Sequence, residues 1–300
     1  MCHLAGVSRA SYYRHFEAAA PDEAEMAVRA AIQEVVLAHR RRYGYRRVSV
    51  DVRRRGMVVN HKRVLRIMRE DNLLAIRYRK YMLTTNSQHD RPVYLNLAAR
   101  MTLTGVNQLW VADITYIRLR AEFVFLAVVI DRYSRQVVGW ALSRSLSAQV
   151  AVGALRLAIE RRQPPPGVVH HSDQGTQYAS AEYIAVLEAN QMTPSMSRPA
   201  NPYDNAACES FMKTLKQEEI YCNRYTDLDD LYAHLEEFID TYYNRERLHS
   251  ALGYRTPEEF EKEVAKAPVI DTNPVAATMN FFAAPENPAR GQPDLPSAAT

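Results

Sequence analysis

The chain has 300 residues, 47% of them apolar and 24% charged, a net charge of +4 and three cysteines (Cys2, Cys208, Cys222). This composition excludes a disulfide-built scaffold and fits a globular protein with more than one average domain of chain. The longest apolar run, 123–130, is too short to span a bilayer, and 1–16 has no apolar signal core, so no membrane partner and a cytoplasmic, nucleoid-associated location are expected.

In chain order, residues 1–16 hold Gly6-Val7-Ser8 followed by Tyr12-Tyr13-Arg14. This resembles the turn and recognition helix of a helix-turn-helix whose first helix is missing, an incomplete remnant, with a frayed N-terminus equally open. Residues 22–80 carry 16 Lys and Arg against 7 Asp and Glu, a net +9 that leaves the rest of the chain mildly acidic. Three helices are expected there. The first is capped by Asp22 and runs to His39. The second covers 45–55 and stops at Gly56. The third is capped by Asn60, with Val64, Leu65 and Met68 as its apolar stripe. A small all-helical basic domain of this kind suits DNA phosphates through Arg46, Arg47, Lys62, Arg63 and Arg66, with Tyr43, Tyr45 and Tyr78 beside them. Charge alone leaves a solvated basic face equally open. Residues 81–106 read as a linker, partly helical over 94–101.

Residues 107–225 alternate between β-rich and helical patterns. Strands are predicted at 109–118, 123–131, 136–142, 168–172 and 192–196, and helices at 147–162, 180–190 and from Asp204 to about Glu218. The order β-β-β-α-β-α-β-α describes an α/β fold, a mixed five-stranded sheet flanked by helices. Residues 226–263 form a C-terminal helical extension with Leu231, Leu235, Phe238 and Tyr242 at helical spacing. Residues 264–300 are rich in Pro and Ala, and disorder is expected.

Three acids stand where acids are unusual. Asp113 interrupts the apolar strand Leu109-Trp110-Val111-Ala112-Asp113-Ile114-Thr115-Tyr116, where burial of an unpartnered carboxylate is costly. Asp173 follows the fourth strand, and Glu209 lies one turn into the helix that Asp204 caps. A strand centre, a neighbouring strand end and a nearby helix can converge on one point. Oxygen ligands of this type suit Mg²⁺ or Mn²⁺, and two such ions ~4 Å apart serve an in-line phosphoryl displacement. Cys208, Phe211, Met212 and Leu215 make an apolar stripe on this helix, and Glu209, Lys213 and Lys216 line an adjoining face. Spacing by itself is weak, because 34 acids offer many triples. Tyr178 and Arg198 border the site as candidate DNA contacts; Asn205 is a candidate to orient Glu209 or to contact DNA, with local bonding at the helix start the favoured reading. His170, His171, Arg247 and His249 read as structural, and Asp131 as a turn residue.

Trp110-x-x-Asp113-x-Thr115-Tyr116, His171-Ser172-Asp173-x-Gly175-x-Gln177-Tyr178, Asp204-Asn205-Ala206-x-x-Glu209-Ser210 and Lys216 together resemble the DDE integrase core of retroviral integrases and bacterial insertion-sequence transposases. Tyr243-Asn244-x-x-Arg247-x-His249-Ser250-x-Leu252-Gly253-Tyr254-x-Thr256-Pro257 and Tyr43-Gly44-Tyr45-Arg46-Arg47 are similar to segments of the insertion-sequence-three family. The resemblance implies an RNase H-like fold and a Mg²⁺-dependent (or Mn²⁺-dependent) transposase. Asp113, Asp173 and Glu209 would be its catalytic metal ligands, and Lys216 a contact to terminal element DNA. It implies DNA as substrate and target, action as a homo-oligomer on DNA, and fusion to or association with an upstream-frame helix-turn-helix protein. A catalytically silent DNA-binding relic and an RNase H-like nuclease are the alternatives.

Overall fold

The computed structural model describes residue 8 and residues 23–75, 94–120, 122–197 and 205–266. Its centre is one sheet of β1 (Leu109–Arg118), β2 (Phe123–Asp131), β3 (Val137–Ser143), β4 (Val169–Ser172) and β5 (Thr193–Met196), in the order β3-β2-β1-β4-β5. The first three strands pair antiparallel, whereas β4 joins β1, and β5 joins β4, in parallel. Strand β2 is apolar without interruption because it is covered twice. Val124, Leu126, Val128 and Ile130 enter one core, and Ala127 and Val129 enter the other. The third strand begins one residue later than expected. Asp131 closes the preceding turn by accepting from the N–H groups of Tyr133 and Ser134, and the β2–β3 register slips at Val129/Ile130.

Helices α4 (Ala148–Arg162) and α5 (Ala181–Ala189) cover one face of the sheet. Ser180 caps α5 by accepting from the Tyr183 N–H. Helix α4 lies so close to β3 that a Cβ on Gly139 would sit 2.2 Å from the Ala154 carbonyl oxygen and 2.7 Å from the Ala158 Cβ. Backbone cannot yield cheaply at that distance, and overpacking of this kind costs about 1–3 kcal/mol or more. Gly139→Ala is therefore expected to lower the melting temperature by several degrees; an unchanged melting curve would show that α4 is not held this close.

The opposite face carries α6 (Ala206–Leu215), which continues as a wider π turn over Lys216–Ile220. It also carries α7 (Leu228–Glu236), extended by a π segment over Glu237–Glu246, and is followed by α8 (Pro257–Lys266). The predicted basic helices form as α1 (Glu23–Ala38), α2 (Tyr45–Arg54) and α3 (His61–Glu70). Asn60 caps α3 by accepting from the Lys62 N–H, and Gly56 turns the chain after α2 at φ +90°. Their apolar residues join the core under α6 and α7. Tyr43 corrects an expectation here. Rather than facing phosphate it is fully buried, its hydroxyl donating to the Glu246 carbonyl (3.2 Å) and accepting from the Leu248 N–H (2.9 Å). In the predicted linker, 94–106, a 3-10 turn forms at Ala98–Arg100, and the Leu97 N–H donates to the Ser195 Oγ. The remnant at 1–16 (apart from Ser8), the Asp22 and Asp204 caps, Tyr78, the linker up to residue 93, Arg198 and the tail from residue 267 lie outside the described residues. No described helix is long and apolar enough to cross a membrane.

Candidate active site

Strand β4 pairs with β1 only as far as Val111. Beyond that point β1 has an open edge, and two predicted acids stand beside it: Asp113 in β1, and Asp173 directly after β4. Helix α6 packs over β1 and β2 and carries the third, Glu209, on an exposed position. The apolar stripe of Cys208, Phe211, Met212 and Leu215 is buried as expected, so it sets the roll of the helix.

Electrostatics tie the three acids together. Burial pushes the Asp113 carboxyl up to about 7, and the Asp173 carboxylate adds to this. The Ile114 N–H, donating to its Oδ1 at 2.8 Å, works the other way; Glu209 raises it further and Lys216 lowers it. Like charges crowded into a poorly solvated site are what a divalent cation relieves, and an all-carboxylate donor set matches a hard ion. The acids are within electrostatic reach of each other without closing into a cage. Among the described residues no three His, Cys, Asp or Glu side chains are arranged to hold one ion.

The residues around Asp173 are built to position it. The Gly175 N–H donates to its Oδ1 at 2.9 Å, and a Cβ at Gly175 would lie 2.8 Å from that oxygen, so any larger residue there would push the carboxylate aside. His171 is fully buried and bonds the hydroxyls of Ser195 (2.9 Å) and Ser197 (3.1 Å), locking β4 to the β5 strand end. His170 faces the Tyr183 hydroxyl at 3.0 Å, and burial lowers its pKa to about 3, so it is neutral.

Two expected DNA contacts are corrected. Tyr178 is buried, its ring edge-on to Tyr183, which keeps it from a DNA surface. Asn205 is buried too. It does not cap α6 but donates from Nδ2 to the Ala112 carbonyl at 3.0 Å, pinning the helix start to β1 beside Asp113.

The basic candidates divide by what their charges already meet. Arg47 is another correction: it donates to the Leu248 carbonyl at 2.9 Å and lies 3.5 Å from Glu218, so it fastens α2 to the C-terminal segment. Arg63 and Arg66 both pair with Glu25 across α1 and α3 (2.7 and 3.0 Å). Arg46 and Lys62 are exposed without an ion pair among the described residues, the Arg46 guanidinium lying 5.4 Å over the Tyr45 ring. Lys213 is exposed. Lys216 is half-buried with its Nζ 5.2 Å over the Tyr116 ring; burial lowers its pKa, and Asp113 opposes that.

Sequence reading takes Arg247 as structural but misses its acidic partner on this helix. Arg247 forks onto Glu218 at 2.8 and 2.7 Å, and although burial works against its charge, the Glu218 carboxylate holds its pKa above the usual range. Glu219 is 1% exposed and accepts from Arg42 (2.5 Å), Asn223 (2.5 Å) and Tyr225 (3.2 Å). A signal was present: Glu219 falls four residues after Leu215, on the apolar stripe itself, where an acid needs a buried partner.

A mixed sheet with two acids at an open strand edge and a third on a helix packed over it agrees with the integrase core that the sequence motifs resemble. The integrase core domain model matches residues 104–202, and a second integrase core domain model matches 190–257. An HTH-like domain model matches 23–81, the three basic helices. The chain is 36% identical over 268 residues to Transposase InsF for insertion sequence IS3A of Escherichia coli (strain K12), covering 88% of this chain and 93% of that protein. It is also 36% identical over 267 residues to the insertion element IS600 uncharacterized 31 kDa protein of Shigella sonnei, covering 88% and 98%. A simian T-cell lymphotropic virus intasome chain aligns over 83% of this chain and 79% of its own, at 18% identity and a TM-score of 0.47. The chain belongs to the insertion-sequence-three family of transposases.

Proposed function

We propose that the protein cuts DNA at the ends of an insertion element and joins the freed 3′-OH to target DNA, with Asp113, Asp173 and Glu209 holding Mg²⁺ or Mn²⁺, two ions in the working site. The observation that carries this is the placement of Asp113 in β1 and Asp173 directly after β4 at the open edge of β1, with Glu209 on the helix packed over β1. Divalent ions bound there supply Lewis-acid neutralisation of charge at the reacting phosphate. The chain's own residues do the rest. The Ile114 and Gly175 N–H groups orient Asp113 and Asp173. Lys216, beside Asp113, holds the terminal DNA phosphate, and Lys213 extends that row along α6. Arg46 and Lys62 grip the duplex backbone with no sequence preference, leaving base readout to an upstream-frame helix-turn-helix partner. In the first step a water oxygen, giving up a proton to solvent, attacks phosphorus and the 3′-oxygen leaves as the hydroxyl; in the second, that 3′-oxygen attacks a target phosphorus, the P–O bond to the target's own 3′-oxygen breaks, and the displaced oxygen leaves as a 3′-hydroxyl. The working unit is a homo-oligomer on DNA.

The test is strand transfer with Mg²⁺ and a labelled element end, using the chain fused to its upstream frame. Joined product is expected, and Glu209→Gln should remove it while the circular-dichroism spectrum and DNA binding stay unchanged. Cleavage without joining would make the protein a nuclease. Binding with neither product would make it a silent relic.

A further inference from the structure

Beyond the carboxylates, the hairpin of β1 and β2 carries an alternating row of cations and rings. Lys216 Nζ stands 5.2 Å over the Tyr116 ring. Tyr116 meets Phe123 edge-on, with centroids 5.7 Å apart at 69°. The Arg118 guanidinium lies 5.5 Å over Phe123. Phe123 is 46% exposed, the one exposed phenylalanine among the described residues. Phe123 opens β2 opposite Arg118 at the end of the ladder. The neighbouring acid, Glu122, is neutralised by Arg144 at 3.1 Å, so the row presents positive charge and ring surface together.

We infer that this row is a stacking platform for unpaired bases of DNA next to the reacting phosphate. The inference deepens the transposase reading above and rests on it. A duplex buries its base faces in its own stack, and its backbone asks only for cations. Rings interleaved with cations fit bases that have left the stack, because every base has a π face and every nucleotide a phosphate. Tyr116 lies three residues along β1 from Asp113, about 10 Å at strand rise, and strand alternation turns the two side chains to opposite faces, so the row adjoins the acids across the unpaired edge of β1 and not along one face. The platform receives nucleotides beyond the scissile bond. Lys216 belongs to both places, near Asp113 and over Tyr116, so it connects the acids to the row.

The probe is an oligodeoxythymidylate carrying a single 2-aminopurine, with a blunt duplex of unrelated sequence as control, both titrated with the full chain. The wild type should bind the single strand and quench the aminopurine. Phe123→Ala should weaken single-strand binding about tenfold and abolish the quench, with duplex affinity unchanged. Phe123→Trp should retain both, whereas Phe123→Leu, which keeps apolar area without a ring, should lose the quench. Equal single-strand binding and quench by wild type and Phe123→Ala, with duplex binding intact, would overturn the platform and leave the transposase reading standing. Parallel loss of single-strand and duplex binding in Phe123→Ala would overturn stacking in favour of a general backbone contact. A wild-type chain that binds neither DNA would overturn both readings.

Discussion

Asp113→Asn is expected to abolish cleavage and joining and, at the same time, to make the metal-free protein more stable at alkaline pH. The folded Asp113 carboxyl is raised from 3.8 to about 7, chiefly by burial and then by Asp173. A carboxyl with a raised folded-state pKa holds its proton more tightly in the folded protein. It therefore costs nothing below 3.8, costs progressively more as pH rises, and reaches its full cost above about 7. The full cost is at most about 4 kcal/mol. Asparagine keeps the shape and the Ile114 contact without the charge. In EDTA at pH 8 the variant should melt several degrees above the wild type, and the gap should close toward pH 4. Excess Mg²⁺ should raise the wild type and leave the variant nearly unmoved. A variant less stable than wild type in EDTA at pH 8 would sink this account of the site, and full strand transfer would sink the assignment of Asp113.

Arg247→Ala should be among the most destabilising single changes in the described fold. Arg247 is 5% exposed and bonds Glu218 through two nitrogens. Its removal strands a poorly solvated carboxylate whose remaining partners, Arg47 and the Tyr242 hydroxyl, are both 3.5 Å away. Breaking one side of a buried pair costs about 3–5 kcal/mol. At about 2–4 °C per kcal/mol for a domain of this size, melting should fall by on the order of 10 °C. Arg247→Lys should recover only part of this, because an ammonium keeps the charge but cannot fork onto both carboxylate oxygens. Activity should fall further than stability at permissive temperature, because Glu218 sits in the turn directly after Lys216, on the same continuous helix as Glu209. A melting curve within about 1 °C of wild type would mean that the pair is solvated and does not hold the helix.

These cases also show why some of the molecule was legible in its sequence. The strands β1 and β2 announce themselves, since an apolar run rich in β-branched and aromatic residues has few other fates and the acid inside β1 stands out. The apolar stripe of α6 gave its orientation, and with it the side on which Glu209 sits. What escaped was set by partners far away in the chain. Arg47 reads as a phosphate ligand until the Leu248 carbonyl and Glu218 are placed beside it, and Tyr43 as a surface aromatic until Glu246 and Leu248 close over it. Tyr178 lies within a motif at the site, yet only packing against Tyr183 reveals that it is inside. Side-chain type and local period report the secondary structure; the destination of a cation or a ring depends on which segment returns to meet it.

The burial of Tyr43 has a consequence for how the chain is made. Its hydroxyl partners at Glu246 and Leu248 are separated from it by 203 and 205 positions. During synthesis the basic helices leave the ribosome before the integrase core, and Tyr43 must wait for almost the whole core before its last partners arrive. Docking of these helices onto the core is thus a late event that reports completion of the core. Nascent chains halted before residue 246 would display the Tyr43 face of these helices to chaperones and proteases rather than act as free-standing DNA binders.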